Sequence, residues 1–132
     1  MPYLASNPTA SLGKSIGDGQ CVAYVRAASG APHTSSWKRG ELVKDARVTR
    51  GTVIATFDSN GRYGNHTSGT SHTAIFLQQL PNGIRVLDQW VSHKRDENGK
   101  TVAVPQPVHE RVIRFRGAPR LENNGNNYYV VE

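Results

Sequence analysis

Two apolar runs separated by a tight turn constrain this chain most. Thr73-Ala74-Ile75-Phe76-Leu77 and Ile84-Arg85-Val86-Leu87 flank Leu80-Pro81-Asn82-Gly83. An Asn-Gly step between two β-prone runs predicts a hairpin, with strands over 72–79 and 84–91. Gly51-Thr52-Val53-Ile54-Ala55-Thr56-Phe57 predicts a further strand, because β-branched residues follow a glycine. Segments 101–104 and 110–116 read as another pair, and Tyr128-Tyr129-Val130-Val131 as a last strand. A helix is predicted over about 20–29, closed by Gly30 and followed by Pro32. Residues 35–43 are ambiguous and read as a short helical turn followed by loop. The sum is α+β, one or two helices on an antiparallel sheet. At 132 residues the chain is expected to be one domain, 1–132.

The only cysteine sits where that helix starts. Gly17-Asp18-Gly19-Gln20-Cys21 is a polar, glycine-broken segment that runs into Val22-Ala23-Tyr24-Val25. At a helix N-terminus the unpaired N–H groups and the macrodipole favour a thiolate. His72 opens one arm of the hairpin, and Asp88 closes the apolar run of the other. A thiol on a helix, an imidazole on a strand and a polar residue on the next strand is how cysteine hydrolases are built. Cys21, His72 and Asp88 are therefore the candidate catalytic residues. If the hairpin register has even parity, His72 shares the face of Asp88, Val86 and Trp90. A slip of one residue would substitute Gln89 as the group that holds the imidazole. Gln20 and the backbone N–H of Cys21 are the candidate oxyanion donors.

Composition narrows the partners. The formal net charge is +6, which suits an anionic partner such as a membrane surface or a wall polymer. Lys38-Arg39, Lys94-Arg95 and Arg111, Arg114 and Arg116 are scattered, however, and no basic run is interleaved with stacking aromatics. Nucleic-acid binding is thus not expected. No apolar run approaches 18 residues, so membrane insertion is not expected either. The first residues lack a basic region followed by an apolar stretch, so no secretory signal is read. His66 and His72 with Cys21 could be drawn as a zinc site, but no closely spaced ligand pair supports it. Neither a metal nor an organic cofactor is expected. His33, His93 and His109 read as surface residues, and Trp37 and Trp90 as core. Tyr24 could line a groove or pack beneath it. Asn65-His66-Thr67 matches a glycosylation pattern by chance.

Gly19-Gln20-Cys21-Val22-Ala23-Tyr24-Val25 resembles the segment that opens the catalytic helix of CHAP-type amidases, papain-like wall hydrolases that also include the NlpC type. Gly51-Thr52-Val53-Ile54 resembles their Gly-Asp-Val strand, with Thr52 in place of the Asp. His72-Thr73-Ala74-Ile75-Phe76 resembles their histidine strand, and Val86-Leu87-Asp88-Gln89-Trp90 the strand bearing their third polar residue. The resemblance covers about residues 13–91. A compact chain of this kind is most similar to the type VI secretion amidase effectors. That resemblance implies a papain-like fold and a cysteine amidase acting on peptidoglycan, with the D-alanyl–diaminopimelate crosslink favoured. It also implies a cognate immunity protein that plugs the site. Such a protein would be made in the cytoplasm and act in the periplasm of a Gram-negative target cell. A phage endolysin with the same catalytic segments, and a non-catalytic basic wall-binding module, are the alternative readings. The 58–71 loop is long for the family and is expected to shape substrate choice.

Overall fold

A computed structural model describes residues 2–66, 70–116 and 120–132. The described residues form one α-helix, α1 (Cys21–Ser29), and six strands: β1 (Arg39–Leu42), β2 (Val53–Thr56), β3 (Thr73–Leu80), β4 (Gly83–Arg95), β5 (Thr101–Arg114) and β6 (Tyr128–Val131). Three short 3-10 turns complete the described elements. The strands form one antiparallel sheet in the order β1-β6-β2-β3-β4-β5. The fold is α+β with a single sheet and few helices.

Helix α1 starts at Gln20, whose backbone is extended (φ −79°, ψ 159°) and whose side chain makes no cap bond. It ends at Gly30, in the left-handed region at φ 73°, whose N–H reaches the Arg26 carbonyl. Tyr24 and Val25 form its buried side and pack against β3 and β4. Side chains alternate across a strand, and the sheet uses both sets. Val53, Ala55, Ile75, Leu77 and Leu87 join Tyr24 and Val25 on the helix side. Ile54, Ala74, Phe76, Ile84 and Val86 join Val43, Ile113 and Tyr128 on the other. The central strands β2 and β3 are therefore covered on both faces, which explains their continuous apolar character.

The β3–β4 hairpin turns through Pro81 and Asn82, with Leu80 opposite Gly83. Gly83 thus belongs to β4, and close packing accounts for it. A Cβ there would lie 2.6 Å from the Ile113 carbonyl oxygen of β5.

Two expectations need correction. The segment 35–43 holds the end of a 3-10 turn at Thr34–Ser36 and then the edge strand β1. Segments 101–104 and 110–116 do not pair with each other. They are parts of one strand, β5, that lies along β4 from Gly83↔Arg114 to Arg95↔Thr101. Pro105 and Pro107 lie between the two segments, and β5 is an edge strand, where proline is tolerated. The register slips between Asp88↔His109 and Trp90↔Gln106. Within that bulge Val108 exchanges backbone bonds with the N-terminal loop: its N–H reaches Lys14 O at 2.9 Å, and Gly13 N–H reaches its carbonyl at 2.8 Å. The bulge thereby anchors the segment that leads to Cys21. Beyond Asp88, pairing of β4 continues with β5 as a two-stranded ribbon as far as Arg95. The 58–71 loop includes 67–69, which lie outside the described residues, as does Thr67 of the glycosylation pattern.

Candidate active site

Cys21 is the first residue of α1 and is half-buried. The approach to it is tightly fixed. Gly19 has φ 85°, and a Cβ there would come 2.9 Å from a Val91 methyl at the base of the ribbon. A side chain at Gly19 would meet both strain and a clash. Gln89 lies fully buried beneath the same loop. Its Oε1 accepts the Ile16 N–H at 2.8 Å, while its Nε2 donates to Ile16 O at 2.8 Å and Gln20 O at 2.7 Å. Those bonds engage both ends of its amide and tie down the chain just before Cys21.

The thiol meets three polar groups. The Tyr63 hydroxyl is 3.7 Å from Cys21 Sγ, and His72 and the Thr73 backbone N–H act on it as well. Burial alone would raise the thiol's pKa. The hydrogen bond and charge of His72 outweigh burial, with help from Thr73 and Tyr63, and hold it below the usual thiol value. Tyr63 is itself buried and packs on Trp37, with ring centroids 5.0 Å apart. Trp37 is pinned in turn by its Nε1–H, which donates to Pro32 O at 3.0 Å.

His72 stands immediately before β3 and is 5% exposed. Its backbone N–H donates to Thr56 Oγ1 and its carbonyl accepts the Thr56 N–H, each at 3.0 Å. Counting back from Ile75↔Leu87 sets His72 opposite Trp90, with Asp88 as its diagonal neighbour on the same face. The even-parity register is the one present. His72 Nε2 lies 2.7 Å from Asp88 Oδ2. With Nε2 engaged there, Nδ1 is the ring nitrogen left for the thiol. Burial disfavours the imidazolium, but the Asp88 bond and the Cys21 thiolate more than reverse this and raise the His72 pKa to about 10.

Asp88 is 0% exposed. Arg111 Nε donates to its Oδ2 at 2.8 Å, and Nη2 stands 2.8 Å from the same oxygen. Burial would push the carboxyl up; His72 and Arg111 together hold it below the ordinary carboxylate value. Oδ1 is buried without a hydrogen-bond partner among the described residues, and His109 Nε2 faces it at 3.6 Å. Trp90 covers this corner: the His109 ring is 4.7 Å from it by centroids, and the Arg111 guanidinium lies 5.1 Å over it.

Cys21, His72 and Asp88 are thus brought together, whereas Gln89 points to the opposite face and serves the 16–20 loop. Gln20 is exposed, and its backbone N–H is taken by Asp18 Oδ1 at 2.9 Å. His66 sits 2.9 Å from Asp58 Oδ2 in the loop. Tyr24 packs beneath, its hydroxyl donating to Pro8 O at 3.0 Å. Two sequence readings change. His109 is no ordinary surface residue, and Arg111 is more than one of a set of scattered charges, since both face Asp88. Arg111 follows His109 by two positions on β5, so the two share a face, but only the β4–β5 register shows what that face meets. Tyr63 carries no signal in the sequence beyond being an aromatic in a polar loop.

Comparison with known proteins gives consistent results. The family model described as domesticated amidase effector 2 matches residues 2–131. The chain is 36% identical over 139 aligned residues to a type VI secretion amidase effector 2 protein of Salmonella typhi, covering 100% of both chains. It is 35% identical over 118 residues to domesticated amidase effector 2 of Ixodes scapularis, covering 86% of this chain and 70% of that one. Among solved structures, a type 6 secretion amidase effector 2 superposes with a TM-score of 0.78 at 33% identity, covering 100% of this chain and 95% of the other. With its full length matched in sequence and in fold, this chain belongs to the domesticated amidase effector 2 family.

Proposed function

We propose that this protein is a papain-like cysteine amidase that hydrolyses peptidoglycan as a type VI secretion effector. The observation that carries the reading is the buried His72–Asp88 pair beside the Cys21 thiol, in which the imidazole lies 2.7 Å from a fully buried carboxylate and acts to lower the thiol pKa. Membership in an amidase effector family supplies the substrate class. A non-catalytic wall-binding module would leave that costly buried ionic chain without a use.

The chemistry follows from the geometry. Cys21 Sγ, as the thiolate, attacks the amide carbonyl carbon. The oxyanion that forms is held by the Cys21 backbone N–H and the Gln20 side-chain amide. His72, protonated at Nδ1, gives its proton to the departing amine, and the C–N bond breaks to leave a thioester on Cys21. A water molecule, deprotonated by the now neutral His72, attacks the thioester. The C–S bond breaks, the carboxylic product leaves and the thiolate–imidazolium pair returns. Asp88 stabilises the imidazolium and fixes its tautomer at both stages.

The favoured bond is the D-alanyl–diaminopimelate crosslink, cut in the periplasm of a Gram-negative target by a protein made in another cell's cytoplasm. A cognate immunity protein that covers Cys21 would protect the producer. The whole chain acts as one domain. Mass spectrometry of muropeptides digested by the wild type tests the reading. New free D-alanine carboxyl and diaminopimelate amine ends are expected from dimers; dimers that stay intact with active-thiol protein would overturn the choice of bond.

A further inference from the structure

We propose that Arg111 is a positioning residue of this reaction, aiming Asp88 at His72 and balancing the charge of the buried site. The inference rests on the cysteine amidase reading above. Oδ2 of Asp88 takes contacts from His72 Nε2 at 2.7 Å and from Arg111 Nε and Nη2 at 2.8 Å each. Oδ1 has no hydrogen-bond partner among the described residues. All of these contacts converge on one oxygen, and two donors from one planar guanidinium edge fix where that oxygen stands beside His72 Nε2, as a single ammonium cannot. The guanidinium is steadied by Trp90, 5.1 Å beneath it, and by its own strand, where Arg111 pairs with Val86 two residues from Asp88.

Charge counting gives Arg111 a second task. In the reactive state the thiolate, imidazolium and carboxylate sum to one negative charge. Arg111 brings the buried total to zero. Without it, the remaining negative charge favours a protonated thiol. The other titratable groups around this corner do not replace it. Tyr24, raised to about 12, and Tyr128 and Tyr63, both raised by burial, stay neutral. Glu122 is engaged by Arg120 at 3.3 Å. His109 stands 3.6 Å from Oδ1, outside hydrogen-bond reach.

The test compares wild type, Arg111→Met and Arg111→Lys by circular dichroism, by kcat and KM on a soluble crosslinked muropeptide, and by the pH profile of Cys21 alkylation. In Arg111→Met the acid limb of alkylation should move up by about one pH unit, and kcat should fall about 10²-fold with KM within about threefold. Arg111→Lys keeps the charge without the fork: its alkylation limb should stay near that of wild type, while kcat falls about tenfold. Superimposed alkylation profiles for wild type and Arg111→Met, or a loss in Arg111→Lys as large as in Arg111→Met, would overturn the assignment. Should Arg111→Met fail to fold, an unchanged kcat in Arg111→Lys overturns it. Alkylation needs no wall substrate. A shifted profile in a protein whose wild type cuts no muropeptide would therefore refute the amidase reading and leave the positioning role standing.

Discussion

Replacing Asp88 by asparagine separates charge from orientation at this site. The amide oxygen introduced at position 88 can still accept from His72 Nε2 and Arg111, which converge on Oδ2 of the native carboxylate. Ring orientation and tautomer are therefore kept, and only the negative charge is lost. At 2.7 Å and an effective dielectric near 20, a unit charge pair interacts by about 6 kcal/mol. A neutral hydrogen bond returns about 1 kcal/mol of this. Arg111, no longer neutralised, disfavours the imidazolium further. A loss of about 5 kcal/mol in transition-state stabilisation follows, or about 10⁴-fold in kcat. Stability should fall as well, because Asp88 is 0% exposed and Arg111 only partly open to water. Steady-state cleavage of a soluble crosslinked muropeptide measures the first effect and thermal melting the second. An Asp88→Asn variant within about threefold of wild-type kcat, with an unmoved alkylation profile, would reduce Asp88 to a structural partner of Arg111.

Other consequences are as direct. Gln89→Leu unpairs two Ile16 backbone groups and the Gln20 carbonyl, so it should cost about 2–4 kcal/mol by chemical denaturation yet leave the His72 titration in place when followed by NMR. Tyr63→Phe removes one of the groups that favour the thiolate and should shift the Cys21 alkylation profile to higher pH, with kcat reduced about threefold to tenfold; an unmoved profile would dismiss the 3.7 Å contact as incidental. The Cys21 thiol is lowered and His72 raised to about 10, so the ion pair exists between those two limits. Cleavage should rise through the lowered thiol pKa and decline as pH passes about 10. By the same signs, His72 stabilises the fold fully below its unfolded pKa of about 6.5 and loses that contribution through about pH 10, while Asp88 stabilises above about 3.9 and loses it as acid protonates it. Melting temperature against pH checks both limbs.

The parts of this fold that local sequence encodes are readable from the chain alone. Asn82-Gly83 between apolar runs marks the β3–β4 hairpin, Gly30 marks the end of α1, and the spacing of His72 and Asp88 suits the even register. What cannot be read depends on partners distant in the chain. Pro105 and Pro107 look like breaks until β5 is known to be an edge strand. Arg39–Leu42 becomes a strand because β6 lies beside it. Arg111 and His109 acquire meaning through the β4–β5 register. Tyr63 reaches Cys21 from a loop whose path is set by packing on Trp37. Buried polar residues such as Gln89 are ambiguous in sequence, since adjacent strand positions face opposite sides.

The central claim is that one sulfur atom performs the chemistry, and Cys21→Ala tests it most directly. The substitution removes that atom from the first turn of α1 and puts a good helix former in its place. Wild type and variant should give the same circular dichroism spectrum. On purified sacculi and on a soluble crosslinked muropeptide, wild type should release new amine ends and Cys21→Ala none above the uncatalysed background. Cleavage by the folded variant at a rate near that of wild type would contradict the account.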